Sequence, residues 1–201
     1  VECPLPGGSA TVRNVFDLDL HSILYLTAQH PEIPAAFAAA SLLLSGAAWW
    51  LAPRWGWAQV PAALAGCGLA LALAVTLVRP VGPFSPSGLN PLIILHECGI
   101  GSLSLARTYE KLNVVMLLPF AFFATLATRR PAIIAAACLL ISGLVEFVQG
   151  ATGGGTCQAR DLMHNTVGSV LGVGLAAVVL RLSVRSREGT AGVESPLKTL
   201  R

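Results

Sequence analysis

The chain has 201 residues, of which 54% are hydrophobic and 11% charged, and its mean hydropathy is +0.70. Soluble domains carry about 25% charged residues, so this composition excludes an ordinary soluble domain and predicts an integral membrane protein. The net charge is only +3. No basic patch is interleaved with aromatic residues, so we predict no nucleic-acid partner.

Residues 1–34 form a polar amino-terminal segment with two aspartates, Asp17 and Asp19. Charged side chains are costly at mid-bilayer, so we do not expect this segment to span a membrane. Apolar residues from Phe16 to Thr27 nevertheless recur at helical spacing. We therefore expect a short amphipathic helix that lies on the membrane surface.

Five apolar runs follow, each close to the length of about 20 residues that a spanning helix needs. The sequence predicts an all-α fold in which these runs form one bundle over residues 35–182, followed by a polar tail at 183–201. A long loop, 81–111, separates the second run from the third, and a glycine-rich loop, 150–160, separates the last two. The predicted spans are residues 35–51, 60–78, 112–128, 132–149 and 162–182.

The arginines predict the orientation, because cytoplasmic loops carry an excess of Lys and Arg. Arg129 and Arg130 occupy a very short loop, and the carboxyl-terminal tail is also basic. We therefore predict that the carboxyl terminus is cytoplasmic. With five spans, the amino terminus and both long loops are then outside.

This orientation places Cys98 and Cys157 on the oxidising side of the membrane. We predict a disulfide between them that ties the two outer loops together. Two unrelated thiols are the alternative, and Cys3 is a competing partner. Cys67 and Cys138 lie in apolar runs and are expected to be small core residues.

Two pairs of polar residues interrupt the last two spans. Glu146 and Gln149 are three residues apart and share one helix face, and Asp161 and Asn165, four apart, share another. Intramembrane acids are functional sites by default. The structural alternatives are a hydrogen-bonded contact between helices for Glu146 and a helix N-cap for Asp161. Asn165, one turn into its span, is a candidate to bond Glu146 or Gln149 across the bundle.

Several other residues allow either a functional or a structural interpretation. Asn113 either bonds the backbone opened by Pro119, which kinks its helix, or faces the same cavity as Glu146. His164 either contacts a ligand or is solvated at the interface. Gly168 and Gly172 predict close helix packing. We expect no metal site, because the candidate ligands lack a recognised spacing.

The motifs resemble those of the VanZ-like family over residues 90–177. Each motif is short, but their order and spacing together are specific. Two departures are Ala121 where the family usually has glycine, and the absence of its usual arginine at Gly155 or Thr156, which Arg160 could replace. The matching motifs are Asn90–Ile93, Leu112–Phe120, Glu146–Gln149 and Asp161–Gly168.

The resemblance implies a bacterial plasma-membrane protein of a family whose founding member is linked to low-level teicoplanin resistance. Our leading hypothesis is a non-enzymatic role without a cofactor, in which an outward polar cavity engages a membrane lipid, a cell-wall precursor or a glycopeptide. The alternative is an intramembrane hydrolase or transferase that acts on a lipid-linked cell-wall precursor. The expected ligand-binding residues are Asn113, Glu146, Gln149, Asp161 and Asn165, with His164 and Arg160 as further candidates.

Overall fold

The computed structural model describes residues 30–77, 108–152 and 159–193, and every regular element in these ranges is helical. The whole of the predicted surface helix, and Cys3, Cys98 and Cys157, lie outside the described residues. The elements are α1 (Glu32–Leu51), a 3-10 turn (Ala52–Trp55), α2 (Gln59–Leu77), α3 (Thr108–Met116), α4 (Leu118–Thr128), α5 (Pro131–Thr152) and α6 (Ala159–Val193).

Within the ranges that the structure describes, five helical segments are long and apolar enough to cross a membrane, which confirms the predicted all-α membrane fold. The third span consists of α3 and α4 together and begins at Glu110, two residues before the predicted start. The spans are Glu32–Trp55, Gln59–Leu77, Glu110–Thr128, Pro131–Gln149 and Arg160–Ser186. The last helix also continues to Val193, past the predicted end at Leu182, because arginine and serine in the tail do not break a helix.

The third span is interrupted where Pro119 predicted a kink. Helix α3 ends at Met116 and α4 begins at Leu118. Pro119 has no N–H to donate to the Val115 carbonyl, so the α-helical hydrogen-bond pattern cannot continue there. The pattern resumes when Ala121 N donates to the Leu117 carbonyl at 2.9 Å.

Helix α6 packs against α3, α4 and α5, whereas α1 packs mainly on α2 and has no buried residue. Two glycines allow the close approach of α6. A Cβ atom at Gly168 would overlap the Val114 carbonyl oxygen, and one at Gly172 would lie 2.6 Å from the Leu118 carbonyl oxygen. The predicted close packing at this glycine pair is confirmed.

The antiparallel course of the helices gives the bundle two chemically different ends. At the polar end, α2 and α5 finish and α3 and α6 begin. At the basic end, α4 finishes, α2 and α5 begin, and the 3-10 turn with Arg54 follows α1. Small apolar side chains fill the bundle between the two ends, including Ala65, Ala121, Ala124 and the predicted core residue Cys138.

Candidate functional site at the polar end

A buried ion pair joins the first turns of α3 and α6. Arg160 Nη1 lies 3.2 Å from Glu110 Oε1, and the two side chains are 16% and 1% exposed. Removing two charges from water costs several kcal/mol per ion before their attraction is counted. A nearly inaccessible pair is therefore a specific structural or functional feature of this end of the bundle.

Sequence reasoning missed Glu110 because it lay at the edge of the 81–111 loop, next to Lys111 and before the predicted start of the span. The signal that could have found it was its spacing. Glu110 is three residues before Asn113, so one turn of added helix places both residues within the third span. The structure brings Arg160, which the sequence suggested as a replacement arginine, directly to this carboxylate.

One face of α6 carries the remaining acid and its polar neighbours. His164 and Asn165 lie three and four residues after Asp161, so both side chains neighbour that of Asp161 on the surface of the helix. His164 and Asn165 are each only 2% exposed, so the expectation that His164 is solvated was wrong. It is buried because α6 packs against neighbouring helices along this face.

Asp161 does not cap α6. The helix begins at Ala159, so Asp161 lies inside its first turn rather than at the flanking position that a cap requires. A carboxylate in the first turn still interacts favourably with the positive end of the helix dipole. The half-buried side chain keeps one oxygen, Oδ1, buried.

Side-chain hydrogen bonds connect α6, α5 and α2 at this end. Asn165 Nδ2 donates to Ser142 Oγ at 3.0 Å, and Gln149 Nε2 donates to the Thr76 carbonyl oxygen at 2.9 Å. The structure thus shows Ser142 as the hydrogen-bond partner of the Asn165 amide, a residue that the sequence did not suggest. Ser142 is the partner because it lies on the same face of α5 one turn before Glu146, and sequence reasoning had read it as part of an apolar run.

Glu146 and Gln149 are 6% and 8% exposed and continue the face of α5 that begins with Ser142. A cavity of about 10 Å³ lies beside Ser142 and Asn165 and is also lined by Thr76. That volume is close to the minimum for one water molecule. The structure thus brings Glu146, Gln149 and Asn165 into one buried region.

Several buried polar atoms of α6 have no hydrogen-bond partner among the described residues. They are Asp161 Oδ1, Asn165 Oδ1 and both ring nitrogens of His164. Leaving a buried donor or acceptor unsatisfied costs about 1–3 kcal/mol. Each such group in a native protein calls for an explanation, and a catalytic role or a bound water or ion is one of the usual ones.

Asn113 is not joined to this cluster. Its side chain is half-buried on α3, and no hydrogen bond to it is found within the described ranges. Three or more His, Cys, Asp or Glu side chains placed to share a metal ion are likewise not found in those ranges. The region can offer acids, an imidazole, amides and a guanidinium to an organic ligand.

The fold and the buried polar cluster define a multi-pass helical membrane protein with a polar site at one end of its bundle. The VanZ/LLP1 family model matches residues 84–181. This part of the chain is VanZ-like, and the family resemblance seen in the motifs is confirmed. No curated protein and no solved structure showed a significant match to the chain.

Proposed function

We propose that the polar end binds the polar headgroup of an envelope lipid or lipid-linked cell-wall precursor, and so reduces the action of glycopeptides such as teicoplanin. The observation that carries this proposal is the buried, unsatisfied face of α6. His164, Asp161 Oδ1 and Asn165 Oδ1 lie together there without partners among the described residues. A ligand that bonds these atoms would recover the free energy that their burial costs.

The chemistry of these atoms indicates the kind of headgroup. Carboxylate and amide oxygens only accept hydrogen bonds, and a neutral imidazole accepts at one nitrogen and donates at the other. A complementary ligand must therefore supply hydroxyl or ammonium donors.

Susceptibility measurements test the resistance part of the proposal. The protein is expressed in a sensitive host, and the inhibitory concentrations of teicoplanin and vancomycin are compared for the wild type, Glu146→Gln and His164→Phe. We expect the wild type to raise the teicoplanin value and both variants to lose that increase at equal protein abundance. Met163→Leu on the exposed face of α6 is the matched control. Identical values with and without the protein would remove the resistance reading.

Lipid binding is measured separately on the purified chain. Native mass spectrometry with phosphatidylethanolamine, whose headgroup carries an ammonium, reports bound lipid directly. We expect Asp161→Asn and His164→Phe each to weaken retention at least about tenfold, since removing a hydrogen bond to a charged group costs about 1.5–3 kcal/mol. Retention unchanged in both variants would place the headgroup elsewhere.

An intramembrane hydrolase is the second candidate, and the position of His164 favours it. A buried imidazole one helical turn from a carboxylate is an arrangement used for general base catalysis. Asp161 or Glu146 would take a proton from water as the water oxygen attacks the phosphorus of a lipid-linked phosphoester. The P–O bond to the leaving oxygen would break, and protonated His164 would give its proton to that oxygen. The proton held by the carboxyl group would then pass to His164 and restore both groups. Release of a labelled headgroup in proteoliposomes, abolished in Asp161→Asn, would support catalysis. Retention of the intact lipid without release would support binding alone.

A further inference from the structure

The basic end of the bundle contains two adjoining cavities, away from the polar cluster. The chain after α1 turns sharply through Ala52–Trp55 and Gly56, which adopts a left-handed conformation with φ of 68°. Trp57 N donates to the Ala52 carbonyl at 2.8 Å, and Ala58 N donates to the Ala127 carbonyl at 3.2 Å. These bonds hold the turn against the last residues of α4.

An apolar cavity of about 310 Å³ opens between α1, α2, α4 and α5 next to this turn. Its volume falls within the range of about 300–1,000 Å³ that is typical of ligand sites. Apart from Thr128, its lining consists of apolar residues and glycine, among them Leu44, Ala48, Leu69, Ala124 and Trp57. A space of this composition inside a membrane bundle suits a hydrocarbon chain.

A second cavity, here called the mouth, shares two lining residues with the apolar cavity. It has a volume of about 380 Å³ and is lined by Trp55, Trp57 and Arg130, so the two tryptophans border both spaces. Their ring centroids are 4.6 Å apart. Tryptophan is enriched where hydrocarbon meets the headgroup layer, so its position here indicates the depth at which a headgroup would begin.

The charged residues described nearest the mouth are arginines. Arg129 and Arg130 are exposed, and neither forms an ion pair within the described ranges. The Arg54 guanidinium lies 3.5 Å from the centroid of the Trp50 ring. No Asp or Glu occurs between residues 33 and 77 or between residues 111 and 145, so nothing in those segments neutralises the arginines.

We propose that this end binds an anionic phospholipid, with the phosphate at Arg130 and its neighbours and one acyl chain in the apolar cavity. Arginine forms strong, charge-assisted hydrogen bonds to phosphate oxygens, and basic pockets between membrane helices bind anionic headgroups. The cavity supplies the apolar half of the same ligand. This site is independent of the headgroup site proposed for the polar end.

The charge part is tested with the purified full-length chain in detergent. Native mass spectrometry compares retention of phosphatidylglycerol and phosphatidylethanolamine that carry identical acyl chains. We expect the wild type to prefer phosphatidylglycerol, and Arg130→Gln to weaken its retention about fivefold, the effect of one basic residue near an anionic surface. Arg185→Gln, an exposed arginine of α6, is the control and should change retention less.

The cavity part is tested with two alanines of α1. Ala48 lines the cavity, whereas its neighbour Ala47 is exposed and does not. Ala48→Leu should fill the space and reduce phosphatidylglycerol retention, and Ala47→Leu should leave it unchanged. The proposal is overturned if the wild type shows no preference for phosphatidylglycerol, if Arg130→Gln matches Arg185→Gln, or if Ala48→Leu matches Ala47→Leu.

Discussion

The two ends of the bundle handle charge in opposite ways. At the polar end, Glu110 and Glu146 are buried, and Arg160 is drawn inward to face Glu110. At the basic end, Arg129 and Arg130 remain exposed. Exposed arginines at the membrane surface cost little and serve orientation, whereas buried charges persist only where other groups compensate for their lost hydration. The difference indicates that the polar end compensates its charges within the protein, whereas the basic end leaves them exposed, and four sets of variants test this comparison.

The largest effect is expected at the buried ion pair. Arg160→Gln leaves the Glu110 charge without the guanidinium that balances it, and breaking such a pair costs about 3–5 kcal/mol. The free energy of unfolding of Arg160→Gln and of the wild type is measured by denaturation in detergent. Arg185→Gln, on the exposed part of the same helix, should change it by less than about 0.5 kcal/mol. Equal losses in the two variants would show that the pair does not stabilise the fold.

The next effect concerns the packing that brings α6 to α3. Gly168→Ala places a methyl group on the Val114 carbonyl oxygen, and overpacking of this kind costs about 1–3 kcal/mol. Gly174→Ala is the matched control, because a Cβ there meets nothing within 4 Å. Thermal unfolding should show a lower Tm for Gly168→Ala alone. A similar Tm for both variants would contradict the close approach of the helices.

A smaller loss is expected from the hydrogen bond between α5 and α6. Ser142→Ala removes the acceptor of Asn165 Nδ2, and hydrogen bonds between membrane helices average about 0.6 kcal/mol. Ser183→Ala removes only a bond to the carbonyl of Val179 in its own helix. The difference in unfolding free energy between the two variants measures the contact between helices, and no difference would argue against it.

The smallest change in stability is expected at the basic end. Arg129→Gln and Arg130→Gln should each alter the free energy of unfolding by less than about 0.5 kcal/mol, because both side chains are exposed. If this end is cytoplasmic, the double variant should insert a measurable fraction of molecules in the opposite orientation, because it removes two arginines that favour the cytoplasmic side. Labelling of introduced cysteines from either side of the membrane reports the orientation. If Arg129→Gln or Arg130→Gln lowered the free energy of unfolding as much as Arg160→Gln does, the two ends would not differ in how they handle charge.

Much of the architecture could be predicted because it follows from local properties of the chain. The apolar runs predicted the number of spans, Pro119 predicted the break in the third, and Gly168 and Gly172 predicted close packing. The start of the third span was placed two residues late at Leu112, because Glu110 and Lys111 look like loop residues when counted by hydropathy. The residues next to Glu110 in the sequence do not reveal that an arginine on another helix neutralises its charge.

The candidate site was predicted only in part for the same reason. Helical spacing identified the faces of Glu146 with Gln149 and of Asp161 with Asn165, but spacing within one helix does not determine the rotation of that helix against its neighbours. That rotation made Ser142 the partner of Asn165 and buried His164. It also left Asn113 without a hydrogen bond among the described residues.

The sequence by itself determined a membrane bundle of five helices, a VanZ-like region and the set of polar residues that this region carries. Those features depend on composition and on spacing within single helices. The tertiary structure alone decided that Glu110 meets Arg160 and that His164 is buried without a partner among the described residues. Both outcomes depend on how two helices approach each other, and contacts between residues far apart in the chain determine that approach.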